Sequence, residues 1–136
     1  MTIEISFQDF RKLVQFEIAQ IIRFGCPATF SIGFLRPEKQ ELFGELRDVI
    51  SEALRETDVM SVYDNNIFLI LPGADKKGAQ FVSRAIYDFF NGEVVEVYVE
   101  YPDDGDSCEK LLNALDTETR KKFGYILESI FKQWDS

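Results

Sequence analysis

Apolar residues recur along this chain at two spacings, one typical of helices and one typical of strands. Between Ser6 and Phe24 they return every three or four residues, which predicts an amphipathic helix with Ser6 as its N-cap and Gly25 just past its end. In VVEVYVEY, from Val94 to Tyr101, they alternate with polar positions, which predicts a half-buried strand. The same patterns predict the other elements in chain order: a strand over Ala28–Leu35, a helix from about Pro37 to Arg55, strands over Val59–Tyr63 and Ile67–Pro72, and helices over Lys76–Phe90, Ser107–Leu115 and Thr117–Trp134.

The middle of the chain predicts a β-hairpin. Two apolar runs, VMSVY and IFLILP, flank Asp64, Asn65 and Asn66, which are residue types that tolerate the left-handed backbone of tight turns. Because IFLILP is apolar on both faces, we expect this strand to lie at the centre of the sheet.

The order of the predicted elements indicates the fold class. It is α-β-α-β-β-α-β-α-α, and its inner part, β-α-β-β-α-β, is the ferredoxin-like pattern of an antiparallel sheet flanked by helices. The predicted class is therefore α+β, with an extra leading helix and a C-terminal amphipathic helix. No linker, repeat or low-complexity segment interrupts the chain, so we expect residues 1–136 to form a single domain.

Composition and charge limit the classes of function. The chain is 46% hydrophobic, has no apolar run long enough to span a bilayer and shows no signal peptide, so we expect a cytoplasmic protein without membrane insertion. The net charge of −9 argues against DNA, RNA or anionic membranes as general partners. The absence of histidine excludes serine–histidine and cysteine–histidine nucleophiles, and Cys26 and Cys108 are expected to be reduced thiols.

The segment from Arg55 to Pro72, together with the order of elements, resembles the GGDEF domain, the diguanylate cyclase module of bacterial signalling. The segment YPDDG, followed by CEKLLNALD, is similar to a loop and helix of that family. The resemblance covers nearly the whole chain. It departs at the C-terminal end, where the family usually closes with a short helix and a strand.

The resemblance implies what a cyclase would need. Active members bind GTP with magnesium held by one acidic residue on the first strand and one in the hairpin. The predicted first strand here has no acidic residue, and RPEKQ leads directly into the next helix, where the family carries its guanine-recognising stretch. In place of Gly-Gly-acid-acid-Phe, the hairpin reads Asp64, Asn65, Asn66, Ile67 and Phe68. We therefore expect no cyclase activity, no metal and no cofactor; Asp64 as a lone metal ligand is the alternative to simple turn chemistry.

One regulatory motif of the family is retained. RETD, from Arg55 to Asp58, matches the Arg-x-x-Asp sequence that binds cyclic di-GMP in many members. The resemblance implies that Arg55 holds guanine or phosphate and that Asp58 accepts from guanine N1 and N2. The family's further arginine would fall at Ala85, one position from Arg84. Alternatively, Arg55 and Asp58 pair at a helix end, where arginine suits the helix dipole.

These observations predict a catalytically inactive GGDEF-like regulatory domain. We expect it to act through protein contacts, with a protein partner or a second copy, and to bind cyclic di-GMP at Arg55, Asp58 and Arg84. The alternative is a structural or dimerisation module with no nucleotide ligand.

Two further patterns bear on this choice. The apolar stripe of the predicted final helix, which ends in Trp134, and the leading helix are candidate protein-contact surfaces. A ferredoxin-like domain that binds RNA through its sheet is disfavoured, because Glu96 and Glu100 flank Tyr98 on the last strand and repel phosphate.

Overall fold

A computed structural model describes residues 3–90, 94–127 and 130–131 of the chain. The elements are β1 (Ile3–Ile5), α1 (Phe7–Phe24), β2 (Phe30–Pro37), a 3-10 turn (Gln40–Leu42), α2 (Phe43–Ala53), β3 (Val59–Tyr63), β4 (Asn66–Pro72), α3 (Gln80–Phe90), β5 (Val94–Tyr101) and α4 (Cys108–Phe123). None of the helices in these ranges is both long and apolar enough to cross a bilayer.

The strands form one five-stranded sheet in the order β1-β3-β4-β2-β5. β4 lies at its centre and pairs with β2 on one side and β3 on the other, as its unbroken apolar run predicts. Strands β2 to β5 pair antiparallel throughout, in the ferredoxin-like arrangement. The predicted α+β class is therefore confirmed.

The edge strand β1 is not predicted by the sequence, and it makes the sheet mixed instead of purely antiparallel. It runs parallel to β3, with Ile3 opposite Val59. Three residues are too few to show a periodic pattern. Tertiary contacts fix the strand instead, because Ile5 packs against the core and Glu4 accepts a 2.7 Å hydrogen bond from Arg47 of α2.

The sheet buries an apolar core on each face. Strand side chains alternate in direction, so the same strands supply both cores. One face packs against α1 and α4, and its fully buried aromatic residues are Phe10, Phe30, Phe34 and Phe68. The other face packs against α2 and α3, and its buried residues include Leu46, Ile50, Val82 and Ile86.

The first helix begins and ends where the sequence predicts. The Ser6 hydroxyl accepts a hydrogen bond from the backbone N–H of Asp9, which caps the N-terminus of α1. Gly25, at φ 72°, takes the left-handed conformation that closes the helix.

The C-terminal helices differ from the prediction. A single helix, α4, runs across the boundary between the predicted helices over Ser107–Leu115 and Thr117–Trp134, and it ends at Phe123, where Gly124 takes φ 71° and forms a left-handed cap. Beyond it, Leu127 is fully buried, and its carbonyl accepts hydrogen bonds from the backbone N–H groups of Ile130 and Phe131. Trp134 lies outside the described residues.

Two helices also begin later in the chain than predicted, α2 at Phe43 and α3 at Gln80. Pro37 does not open a helix; it is the last residue of β2 and lies opposite Val94 of β5. The fixed φ of proline suits the end of an extended strand as well as the first turn of a helix, so sequence alone does not decide between these two structures. The helix α3 begins at Gln80 and not at Lys76, after a turn in which Asp75 accepts from the Gly78 backbone N–H.

Candidate functional site

The hairpin turn between β3 and β4 contains two residues and not the predicted three. Asp64 and Asn65 take φ values of 50° and 60°, the pattern of a type I′ turn. Asn66 belongs to β4 and lies opposite Tyr63. Asp and Asn tolerate this left-handed backbone better than most residues, which explains how the turn forms without glycine.

A buried amide and an arginine meet at the base of this turn. Arg36, near the end of β2, donates from Nη1 to Asn66 Oδ1 at 2.9 Å and to the Asp64 carbonyl at 3.2 Å. Its guanidinium carbon lies 4.9 Å from the ring centre of Tyr125. Asn66 is fully buried, and its Nδ2 has no hydrogen-bond partner among the residues that the structure describes. The hairpin base therefore already holds a cation supplied by the protein itself.

Sequence reasoning missed Arg36, although a signal is present. It is the one charged residue in FSIGFLRP, the β2 run from Phe30 to Pro37. A lone charge within an otherwise apolar strand needs a partner, but the sequence does not reveal that the partner is Asn66.

The other hairpin positions serve the turn and the core. Asn65 donates to the Gln40 side chain at 2.5 Å, which ties the turn to the segment before α2. Ile67 and Phe68 are fully buried, each in the core on a different face of the sheet. Asp64 is exposed at the tip, and within the described ranges no group of three or more acidic or cysteine side chains converges there or elsewhere.

Arg55 and Asp58 lie together between α2 and β3. Asp58 is fully buried, and its carboxylate accepts from the Arg55 backbone N–H at 2.7 Å, from Nε at 3.1 Å and from Nη2 at 2.8 Å. Arg55 Nη2 also donates to the Pro72 carbonyl at 2.9 Å. The Asp58 carboxylate is thus enclosed beneath Arg55, and its hydrogen bonds fix the position of that guanidinium.

The outer side of Arg55 faces solvent and an aromatic ring. Its side chain is 46% exposed, and its guanidinium carbon lies 5.4 Å from the ring centre of Phe81 on α3. Arg84 is exposed and follows Phe81 by three residues, so the two share one side of α3. We call Arg55, Phe81 and Arg84 the Arg55 surface.

The sequence does not identify Phe81 as part of this surface. Its one signal is that Phe81 lies off the inward apolar stripe of α3, which includes Val82 and Ile86. The Arg55 surface also lies on the opposite side of the sheet from Arg36 and its partners Asn66 and Tyr125, because Phe81 packs on the α2–α3 core and Tyr125 on the α1–α4 core.

The two cysteines differ in their exposure to solvent. Cys108 is buried, and burial raises the pKa of its thiol to about 11, so it stays protonated at neutral pH. Cys26 is exposed, and both thiols are free.

Solved structures of GGDEF domains have the same fold. The GGDEF domain of YfiN (TpbB) from Pseudomonas aeruginosa matches with a TM-score of 0.72 at 13% identity, over 86% of this chain and 88% of that one. A DGC protein from Thermotoga maritima matches with a TM-score of 0.69 at 16% identity, over 86% and 95%. A sensory box/GGDEF family protein from Caulobacter crescentus matches with a TM-score of 0.69 at 14% identity, over 86% and 91%.

The likeness lies in the fold and not in the sequence. No protein-family model matches the sequence, and no curated protein sequence is significantly similar to it. The resemblance predicted from the hairpin and the element order is confirmed at the level of the fold, which is of GGDEF type.

Proposed function

We propose that this GGDEF-fold domain is a regulatory domain of cyclic di-GMP signalling that has no cyclase activity, acts through protein contacts and binds cyclic di-GMP at Arg55. The observation that carries the proposal is the Arg36 guanidinium bonded to Asn66 at the hairpin base. It stands between the strand and the hairpin, the two elements from which the family supplies its metal ligands.

The chemistry of this cluster favours a site without metal. A divalent cation needs oxygen ligands, preferably carboxylates. The buried side-chain oxygen at the hairpin base, Asn66 Oδ1, already accepts from Arg36 at 2.9 Å, and the fixed positive charge of the guanidinium repels a second cation. A GTP–magnesium complex would therefore lose both its ligands and its electrostatic stabilisation there.

We expect the purified protein to make no cyclic di-GMP from GTP and magnesium. The products of a long incubation at high protein concentration would be separated by chromatography, with an active GGDEF cyclase as the positive control. Cyclic di-GMP above the level of a protein-free blank would contradict the proposal.

The Arg55 surface supports the choice of ligand. Asp58 and the Pro72 carbonyl hold the guanidinium in place through Nε and Nη2, so Arg55 is preorganised to donate from Nη1 to guanine or phosphate. Phe81 supplies an aromatic face beside it, and Arg84 adds a second positive charge on the same side. Because the chain carries a net charge of −9 and Asp58 offsets the charge of Arg55, the affinity for an anionic nucleotide would come from direct contacts with Arg55, Phe81 and Arg84.

The second candidate function is a structural or dimerisation module with no nucleotide ligand. It is favoured by the contacts that Arg55 and Asp58 make with each other, since the pair already satisfies the buried carboxylate without a ligand. Direct titration with cyclic di-GMP separates the two functions.

A further inference from the structure

An open apolar groove runs beside the edge strand β1. It has a volume of about 310 Å³ and is formed by β1 and the first half of α1. Its lining residues are Ile5, Asp9, Lys12, Leu13 and Phe16.

Large apolar side chains are exposed on this same surface. Phe16 is 53% exposed and Ile3 is 49% exposed, although both residue types are usually buried. β1 also lies at the edge of the sheet, and no strand of the described part of the chain covers its outer side. An apolar groove beside an open strand edge is a typical site of association with another chain.

The charges on this surface are balanced, although the chain as a whole is strongly acidic. The groove is lined by one acidic and one basic residue, Asp9 and Lys12, and both are exposed. On β1, the charge of Glu4 is neutralised by Arg47. The rest of a chain with net charge −9 repels its own copy, but this surface does not.

We propose that this surface, made of Ile3, Ile5, Asp9, Lys12, Leu13 and Phe16, binds a second copy of the chain in a twofold-symmetric dimer. A twofold contact uses the same patch on both copies, so the patch must be complementary to itself. This patch is complementary to itself in two ways. It offers an exposed Phe16 together with an apolar groove, and an acidic Asp9 together with a basic Lys12. The proposal rests on the proposed role in protein contacts, and it is independent of cyclic di-GMP binding.

The test is the mass in solution by sedimentation equilibrium, for the wild type and for two charge variants. We expect the wild type to dimerise. Lys12→Glu places two acidic groups across the twofold axis, and Asp9→Lys places two basic groups there, so each should raise the dissociation constant about tenfold or more. A mixture of the two variants restores both opposite-charge pairs and should form a heterodimer.

Controls keep the result independent of folding and of the ligand. Phe16→Ser removes the apolar contact and should also weaken the dimer, whereas Phe24→Ser, at a residue of the same helix that is 66% exposed outside the groove, should leave it intact. Thermal unfolding confirms that each variant is folded. Cyclic di-GMP titration of the Lys12→Glu monomer reports the Arg55 surface separately. A monomeric wild type up to its solubility limit, or a dimer unchanged by Phe16→Ser and both charge variants, overturns the proposal.

Discussion

Replacing Phe68 with alanine is expected to lower the free energy of unfolding by about 3–5 kcal/mol, the usual cost of emptying a phenylalanine site in a packed core. Phe68 is fully buried. Its ring centre lies 5.5 Å from that of Phe7, 5.7 Å from Phe10, 5.4 Å from Phe34 and 6.1 Å from Phe131. Because these rings come from one helix, a strand and the C-terminal segment, they cannot all move in to fill the space.

Urea unfolding followed by circular dichroism measures this loss. The matched control is Phe24→Ala at an exposed site, which should change the free energy of unfolding by less than about 0.5 kcal/mol. If Phe68→Ala costs no more than Phe24→Ala, Phe68 does not stand at the centre of the aromatic core. The expected result would explain why Phe68 fits the GGDEF pattern in a hairpin that lacks its acidic residues, since the role of that residue here is packing.

The second large effect is expected at the Arg55–Asp58 pair. Arg55→Ala leaves a fully buried carboxylate with its backbone hydrogen bond but without its charged partner, which should cost about 3 kcal/mol or more. Asp58→Ala should cost less, because the half-exposed Arg55 side chain can turn to water. The double variant should be more stable than Arg55→Ala alone, since it removes the unpaired charge as well.

A double-mutant cycle tests this ordering. Urea unfolding of the wild type, both single variants and the double variant gives the coupling energy between the two side chains. Additive effects, or a double variant less stable than Arg55→Ala, would show that Asp58 does not depend on Arg55 for its burial.

The long periodic elements could be predicted from the sequence, and the elements that depend on tertiary contacts could not. The helix from Phe7 to Phe24 carries its own capping signals, and the run Ile67–Pro72 is apolar throughout, so local information defines both. β1 is too short to carry a pattern. Gly124 was a visible stop signal for α4, but the apolar spacing that continues to Trp134 suggested a longer helix.

In the candidate site, too, contacts between residues close in the sequence could be predicted, and contacts that depend on tertiary packing could not. The Arg55–Asp58 pair could be anticipated, because residues three apart at a helix end are neighbours in space. The contact of Arg55 with Phe81 and that of Arg36 with Asn66 each join residues from separate elements. Their partners depend on how the helices and strands pack, which a single sequence does not specify.

The most direct test of the proposed function is calorimetric titration of cyclic di-GMP into the wild type and three variants. Arg55→Ala is expected to abolish binding, but it also destabilises the fold, so Arg84→Ala is the cleaner variant and should weaken binding. Lys110→Ala removes an exposed cation on α4 that pairs with Asp106, and it should bind as the wild type does. We predict binding of micromolar affinity or tighter to the wild type. No heat from the wild type at high ligand concentration would contradict this and would leave Arg55 and Asp58 as a structural pair in a domain that works through protein contacts alone.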